Sequence, residues 1–493
     1  MDYSALQNGS DIRGVAIAVE GGKSVNLTEQ ACRDIGRGFA LWLYRRYGRP
    51  CRVALGRDCR LSGEQLLHTL GQALAAEGMS VTDMGQATTP AMFMTTVTEG
   101  WKFDASVMAT ASHLPMERNG FKFFTAEGGL ESSDVKEILA LAASDAHTQL
   151  APARTERGEF MDVYAAQLRE KLVSWTGKEK PFAGLRIVVD AGNGMGGFYA
   201  SEVLEPLGAD TRGSRYLEPD GSFPNHIPNP EDQTAMESIR EAVLQSGAAM
   251  GVIFDTDVDR AGAVLSDGTE LNRNRIIAAL AAILLSEHPG TTIVTDSITS
   301  TGLAAFIRRR GGVHRRFKRG YRNVINEGLR LNAQGQDCQM AMETSGHGAL
   351  KENYFLDDGA YLMTRLLAEL VKRGSLESLL TGLAEPVEAM EFRMNVSAPD
   401  FAAYGQQVLD ELGEYAKTAP GWRPETENYE GVRVNVGSGW FLLRLSLHDP
   451  LLPLNIESDA ARGVREIARE LLPFLQRFEK LDSSALAKYA EAE

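Results

Sequence analysis

The sequence predicts an α/β protein of several domains, and three observations predict it. A chain of 493 residues is longer than one ordinary hydrophobic core organises, so more than one domain is expected. Along most of the chain a short aliphatic or β-branched run is followed by a turn of Gly, Asp and Ser and then by a segment of helical period, which implies mixed or parallel sheets layered with helices. After RGSLESLLTGLAEP the pattern changes to EFRMNV, GVRVNV and WFLLRLSL, read as alternating segments without intervening helices, and then to a terminal helix, GVREIARELLPFLQRFEK. That last part reads as a smaller antiparallel sheet in an α+β domain.

From the N-terminus, the repeating pattern appears first in CRVALGRDCRLSGEQLLHTLGQALAAEG: a strand from Arg52 to Leu55, a turn from Gly56 to Ser62, and an amphipathic helix from Gly63 onward. LRIVVDAGNGMGGFYASEVLEPLG shows it again, as do MGVIFDTDVDR and TTIVTDSITSTGLAAFIRRRGG. The polar turns follow strands, and in open sheets of this kind functional groups collect at the carboxyl ends of the strands. Three segments break the chain: the small, polar AASDAHTQLAPARTERGEF; the switch at Ser266-Asp267-Gly268 into a long helix, NRNRIIAALAAILLSEH; and RGSLESLLTGLAEP. They divide it into domains 1–155, 156–268, 269–385 and 386–493, the first three readable as distant copies of one α/β unit.

Composition narrows the function classes. With 43% hydrophobic and 24% charged residues the chain is globular rather than disordered. A formal charge of −15 argues against nucleic acid and anionic membranes as partners, but not against small phosphates held in a locally basic cleft. No apolar run is long enough to span a bilayer, and MDYSALQNGSDIRG has no basic region leading into a hydrophobic one, so the cytoplasm is the expected location. Cys32, Cys51, Cys59 and Cys338 have no zinc-like spacing and read as reduced thiols.

Three motifs carry chemistry. The first is Ala109-Thr110-Ala111-Ser112-His113-Leu114-Pro115, followed by Asn119-Gly120-Phe121-Lys122. It places a Ser beside a His, with Pro ending any helix, and no G-x-S-x-G elbow surrounds Ser112. A phosphoserine needs an exposed hydroxyl, nearby cations and a divalent metal, and the rest of the sequence supplies these. The second motif is Gly251-Val252-Ile253-Phe254-Asp255-Thr256-Asp257-Val258-Asp259-Arg260. In extended backbone, alternate residues project to one side, so Asp255, Asp257 and Asp259 can converge on a cation. Hard carboxylate oxygens suit Mg²⁺. A calcium loop of the EF-hand type is excluded, because Arg260 stands where its glycine belongs and Ser266 where its closing glutamate belongs. Arg260 is placed to touch a phosphoryl group. The third motif, Met342-Glu343-Thr344-Ser345-Gly346-His347-Gly348, combines acceptor, hydroxyl and imidazole on a glycine-permissive loop suited to sugar hydroxyls. Asp11-Ile12-Arg13-Gly14 and Gly56-Arg57-Asp58-Cys59-Arg60 add basic groups, with Arg57, Asp58 and Arg60 read as a structural turn braced by Asp–Arg pairing.

In this order the motifs resemble those of the α-D-phosphohexomutase superfamily, of the phosphomannomutase/phosphoglucomutase kind, over nearly the whole chain. T-A-S-H-x-P with N-G-x-K resembles the family's phosphoserine loop, D-x-D-x-D-R its metal loop, and E-x-S-G-H its sugar-recognition loop. The resemblance implies four domains around a central cleft. It implies a phosphotransferase that interconverts hexose 1-phosphate and hexose 6-phosphate, of mannose or glucose, through phosphorylated Ser112 and a hexose 1,6-bisphosphate. Ser112, Lys122, Arg13, His347 and Arg260 are the implied catalytic set, and Ser112, Asp255, Asp257 and Asp259 the implied Mg²⁺ ligands. Glu343, Ser345, His347, Arg444, Ser446 and His448 are the implied substrate contacts, with proton transfer falling to His347, Arg13 or Lys122. The expected partner is a small sugar phosphate, and the expected state is monomer or homodimer. One departure stands out. Where relatives resemble R-x-S-G-T-E-P-x-x-R, this chain has Arg444-Leu445-Ser446-Leu447-His448-Asp449-Pro450-Leu451-Leu452-Pro453, which loses the Gly-Thr pair and the closing Arg. A second is Gly320-Tyr321-Arg322, in place of a Gly-His-Lys-like turn. The alternatives are a phosphoglucosamine mutase, a non-catalytic sugar-phosphate binder, or a sugar-phosphate hydrolase.

Overall fold

The computed structural model describes residues 2–446 and 449–491. The chain separates into two compact units, Met1–Leu280 with Ser345–Leu379, and Ala281–Thr344 with Leu380–Glu493.

The first unit holds an eight-stranded mixed sheet in the order Gln7–Asn8, Asp11–Val15, Arg118–Thr125, Ala105–Ala109, Arg52–Arg57, Ser80–Gln86, Thr155–Arg157, with Gly128–Gly129 flanking Arg118–Thr125. Arg52–Arg57 runs parallel to both neighbours, whereas Arg118–Thr125 is antiparallel to Ala105–Ala109 and to Asp11–Val15. Gly120 faces Arg13 in that ladder, and a Cβ there would lie 2.0 Å from the Ile12 carbonyl oxygen, so glycine lets the two strands close. The helices Glu29–Tyr47, Gly63–Ala76 and Ser132–Ala142 bury Ile35, Phe39, Leu70 and Ile138 in one core with Val53, Val107 and Phe121. Each such side chain contributes about 1.5–3 kcal/mol of burial. Thr28 caps the first of these helices and Gly48 ends it in the left-handed conformation.

A second sheet of this unit has the order Glu270–Leu271, Ala261–Leu265, Met250–Phe254, Ile187–Asp190. Its last two strands are parallel and the others antiparallel. Helix Gln233–Ser246, capped by Asp232, packs Ile239 and Val243 against Val188, Ile253 and Val264. The helix expected after Asp190 is instead a π-helical stretch, Tyr199–Leu204, between 3₁₀ turns at Met195–Gly197 and Glu205–Leu207. Pro206 has no N–H to continue an α-helical ladder there. Hairpin Gly348–Leu350/Leu356–Asp357 leads into helix Gly359–Arg373, whose cap Asp358 accepts a 2.6 Å hydrogen bond from the Tyr164 hydroxyl.

In the second unit Val313–Phe317, Thr292–Asp296 and Cys338–Met342 are parallel neighbours in that order, accompanied by helices Thr301–Arg309 and Tyr321–Ala333. Its other sheet is antiparallel throughout, in the order Glu388–Asn395, Leu451–Ser458, Gly439–Leu443, Val432–Val436, Trp422–Pro424. The antiparallel C-terminal sheet is as expected, but the absence of helices between its strands is corrected. Helix Phe401–Thr418 lies between the first two in sequence, capped by Asp400 and burying Val408, Leu409, Leu412 and Ala416 at helical spacing. The terminal helix is Gly463–Leu475, and a further one, Ser484–Glu491, follows. No described helix is long and apolar enough to cross a membrane, and the four cysteines are buried and not joined in disulfides.

Candidate active site

The strand Met250–Phe254 turns back into Ala261–Leu265, and residues 255–260 form the connection. Asp255, Asp257 and Asp259 converge as expected, each offering an oxygen within 4.8 Å of the others, and all three are buried. The route differs from the expected one. The carboxylates meet through a tight turn rather than along extended backbone, with Val258 at φ +68°, a conformation costly for a β-branched residue. That sequence reading assumed strand geometry continued past Phe254, but the sheet partner ends there.

Ser112 follows the strand Ala105–Ala109 and also has a left-handed backbone, φ +50°. Its hydroxyl, expected to be exposed, is buried, and it donates to Asp255 Oδ2 at 2.9 Å. Arg260 Nη2 lies 3.1 Å from Ser112 Oγ and also donates to His113 Nδ1, while its Nε donates to Asp255 Oδ2 at 3.1 Å. Burial, Arg260 and His347 push His113 down to about 2, so its ring is neutral and can accept. Lys122 Nζ bridges to Asp259 Oδ2 at 2.7 Å and lies 3.9 Å from Asp11 Oδ2. Arg13 pairs with Asp11 at 2.8 Å and donates to the Thr110 carbonyl, two residues before the serine. His347 Nδ1 lies 3.3 Å from Asp357 and 4.0 Å from Asp259. Burial opposes its charge, but these two carboxylates win and push it up to about 9.

The trio itself is electrically uneven. Burial, then Asp259 and Asp257, raise Asp255 well above the carboxylate range, and burial and Asp259 raise Asp257. Asp259 goes the other way: burial opposes it, but Lys122, His347 and Arg260 hold it below its ordinary value. Asp257 Oδ1 and Asp259 Oδ1 are buried and accept no hydrogen bond among the described residues. Buried oxygens without donors, beside like charges, are what a bound cation would satisfy. The donor set is all oxygen, and it fits a hard divalent metal.

Profiles of known families match along this chain. The profile described as "Phosphoglucomutase/phosphomannomutase, alpha/beta/alpha domain I" covers residues 5–149, domain II covers 162–268, and domain III covers 272–387. The chain belongs to the phosphoglucomutase/phosphomannomutase family. A phosphoglucomutase of Neisseria gonorrhoeae is 31% identical over 459 residues, 93% of this chain and 94% of the relative. A phosphomannomutase/phosphoglucomutase of Pseudomonas aeruginosa is 31% identical over 478 residues, 96% of this chain and 95% of the relative. The crystal structure of a phosphoglucomutase/phosphomannomutase family protein from Burkholderia thailandensis superposes with a TM-score of 0.80 at 27% identity, covering 97% of this chain and 98% of that one.

In this member of the phosphoglucomutase/phosphomannomutase family, the first unit brings together Ser112, Lys122, Arg13, Asp255, Asp257, Asp259, Arg260 and His347. Ser345 is buried in the same unit, and its Oγ has no hydrogen-bond partner among the described residues. Glu343, Arg444 and Ser446 belong to the second unit. There Glu343 accepts from the Gly320 N–H at 2.6 Å, and Ser446 Oγ accepts from the Asp449 N–H at 3.2 Å. His448 lies outside the described residues. Two residues of consequence escaped sequence reasoning. Thr89 donates its hydroxyl to Asp257 Oδ2 and its N–H to the Asp257 carbonyl at 2.9 Å. Arg60, read only as bracing its own turn, is fully buried against Asp58 at 3.3 Å. Its guanidinium donates to the carbonyls of Leu114 at 2.6 Å, Pro115 at 2.8 Å and Arg118 at 3.1 Å, and to that of Ser112. It therefore clamps the serine loop itself. The only sequence signal was a cation in a turn that follows a strand.

Proposed function

We propose that the chain is a phosphohexomutase that interconverts hexose 1-phosphate and hexose 6-phosphate, of glucose or mannose, through phosphorylated Ser112 and a hexose 1,6-bisphosphate. The observation that carries this reading is the 2.9 Å hydrogen bond from Ser112 Oγ to Asp255, a member of the aspartate trio. A nucleophilic oxygen that shares a carboxylate cage is suited to phosphoryl transfer and has no evident use in a mere binder.

In the forward direction the 6-hydroxyl of a hexose 1-phosphate attacks the phosphorus on Ser112. The new P–O bond forms as the bond to Ser112 Oγ breaks, and a protein base takes the hydroxyl proton. The bisphosphate turns end for end, Ser112 Oγ attacks its 1-phosphoryl group as the bond to the C1 oxygen breaks, and the protonated base returns its proton to that oxygen, leaving hexose 6-phosphate and phosphorylated Ser112. Asp255, Asp257, Asp259 and the Ser112 side chain would hold Mg²⁺, which when bound neutralises charge on the phosphoryl oxygens. Arg260 Nη2, 3.1 Å from Ser112 Oγ, stabilises negative charge on the departing serine oxygen. Lys122 fixes Asp259, and Arg13 holds the backbone at Thr110. Proton transfer falls, in this reading, to Arg13, Lys122 or His347, whichever first gives up its own proton so that it can take the hydroxyl's. Glu343 and Ser345 are our readers of sugar hydroxyls, and Arg444 and Ser446 our holders of the phosphate that does not react. We propose the domain divisions 1–155, 156–268, 269–385 and 386–493, a cytoplasmic setting, and a small sugar phosphate as the partner.

Intact mass before and after phosphatase treatment tests this reading. The mass should fall by one phosphoryl group, and Ser112→Ala should lose both that change and the isomerisation of glucose 1-phosphate with Mg²⁺ and a trace of glucose 1,6-bisphosphate. Normal turnover by the alanine variant would remove Ser112 from the chemistry. A panel of glucose, mannose and glucosamine 1-phosphates, followed for isomer and for free phosphate, assigns the sugar and separates a mutase from a hydrolase.

A further inference from the structure

We propose that Thr89 is a positioning residue for the metal cage: it occupies Asp257 Oδ2, which leaves Oδ1 as the oxygen that Asp257 offers to a divalent cation. The inference rests on the metal reading within the proposed function and adds a residue that acts through a ligand rather than as one.

The local sequence fixes where Thr89 stands. Strand Ser80–Gln86 leads through Ala87 and Thr88 into helix Thr89–Val97, with Pro90 in its first turn. Thr88 caps that helix, its hydroxyl accepting the Ala91 N–H at 3.2 Å. Capping therefore makes no demand on the next hydroxyl. The first N–H groups of a helix have no partner inside it. Thr89 gives both of its donors to one residue, its N–H to the Asp257 carbonyl at 2.9 Å and its hydroxyl to Asp257 Oδ2. Both residues are buried, so the two bonds are shielded from solvent.

The aspartate trio shows what the contact does. Three side chains carried by the eight-stranded sheet and its connections each donate to one aspartate, and each reaches Oδ2. Ser112 bonds Asp255 at 2.9 Å, Lys122 bonds Asp259 at 2.7 Å, and Thr89 bonds Asp257. Asp257 Oδ1 and Asp259 Oδ1 are left buried without a donor among the described residues. The terminal torsion of an aspartate has a broad minimum, so a carboxylate with neither oxygen held can turn. The Thr89 hydroxyl removes that freedom. By satisfying Oδ2 it also leaves Oδ1 as the oxygen that still needs a partner, and a cation supplies one.

Calorimetry with magnesium chloride on the full chain tests the assignment, alongside initial rates with glucose 1-phosphate at varied Mg²⁺. Thr89→Val keeps the shape and removes the donor, and it should weaken Mg²⁺ binding about tenfold or more. Raising Mg²⁺ should restore most of kcat, because the loss lies in the Mg²⁺ requirement. Thr89→Ser keeps the hydroxyl and should bind Mg²⁺ within about threefold of the parent. A threonine that served packing alone would lower the thermal midpoint of Thr89→Val in chelator and leave its Mg²⁺ constant where it was. A Mg²⁺ dissociation constant for Thr89→Val within about twofold of the parent overturns the inference. So does a serine variant as weak as the valine one, or a parent that binds no Mg²⁺. If the parent isomerises glucose 1-phosphate while Thr89→Val binds Mg²⁺ normally, the mutase reading stands and this inference falls. Mg²⁺ binding that depends on the Thr89 hydroxyl, in a parent that does not isomerise the sugar phosphate, leaves this inference standing and sinks the mutase reading instead.

Discussion

Consider Arg60→Met, which removes a guanidinium with no exposure at its side chain from a pair with Asp58, equally buried. Methionine keeps most of the volume, so the loss is electrostatic. Asp58 is left as an uncompensated buried carboxylate, already pushed upward by burial even with Arg60 beside it. Four backbone carbonyls, those of Ser112, Leu114, Pro115 and Arg118, lose a donor. Removing one partner of a buried ion pair costs about 3–5 kcal/mol, equivalent to a local opening about 10² to 4 × 10³ times more frequent. Hydrogen exchange followed by mass spectrometry on the peptide spanning 110–118 should show that rise, and mutase turnover should fall with it because the serine loop loses its fixed position. Adding Asp58→Asn removes the stranded charge and should recover much of the stability but little of the turnover. Exchange in the 110–118 peptide indistinguishable from the parent would refute the assignment of Arg60 as the clamp.

Two further outcomes follow from buried carboxylates. Asp257→Asn should weaken Mg²⁺ binding by about tenfold or more in calorimetry, yet raise the unfolding midpoint in chelator, because it removes one of three mutually repelling buried charges; a lower midpoint in chelator would contradict the repulsion. Asp358 is raised by burial to about 6, so its favourable contribution to stability is complete below the unfolded value near 4 and is lost as pH rises through about 6, a difference of about 3 kcal/mol. Asp358→Asn, which can still accept from the Tyr361 N–H, should therefore flatten the urea-denaturation profile between about pH 4 and 8, and an unchanged slope would show that this carboxyl is not the titrating group.

Much of the fold was legible because strand-to-helix alternation is written locally, in residues a few positions apart. The strand from Arg52 and the helix from Gly63 are where the pattern put them. Helix Phe401–Thr418 was missed although Asp400 caps it and its apolar residues keep helical spacing, because the strand signals on either side dominated the reading. The site divides in the same way. That Ser112 and the aspartates stand out was legible because the proposed phosphoryl transfer calls for those residue types, whereas their geometry was not, since the turn at Val258 and the burial of the serine hydroxyl depend on packing. Thr89 was not read, and Arg60 was read only as bracing its own turn, not as holding the serine loop. Thr89 meets Asp257 across 168 residues and Arg60 meets the serine loop across more than fifty, so no local pattern marks either contact.

The charges around Ser112 give a physical reason why the proposed metal and phosphoryl group would stabilise each other there. With every carboxyl ionised, Lys122, Arg13, Arg260 and protonated His347 face Asp11, Asp255, Asp257, Asp259 and Asp357, a net of one negative charge in a buried setting. A divalent cation alone would reverse that sign, and a phosphoserine alone, carrying about −1.5 to −2 charges, would deepen it. Either change is costly where water cannot screen it. Added together they nearly cancel, so each lowers the cost of holding the other. Burial and mutual repulsion drive Asp255 and Asp257 toward protonation, while Lys122, His347 and Arg260 hold Asp259 in its charged form. Replacing any of these cations by a neutral residue would therefore disturb the balance as surely as replacing an aspartate.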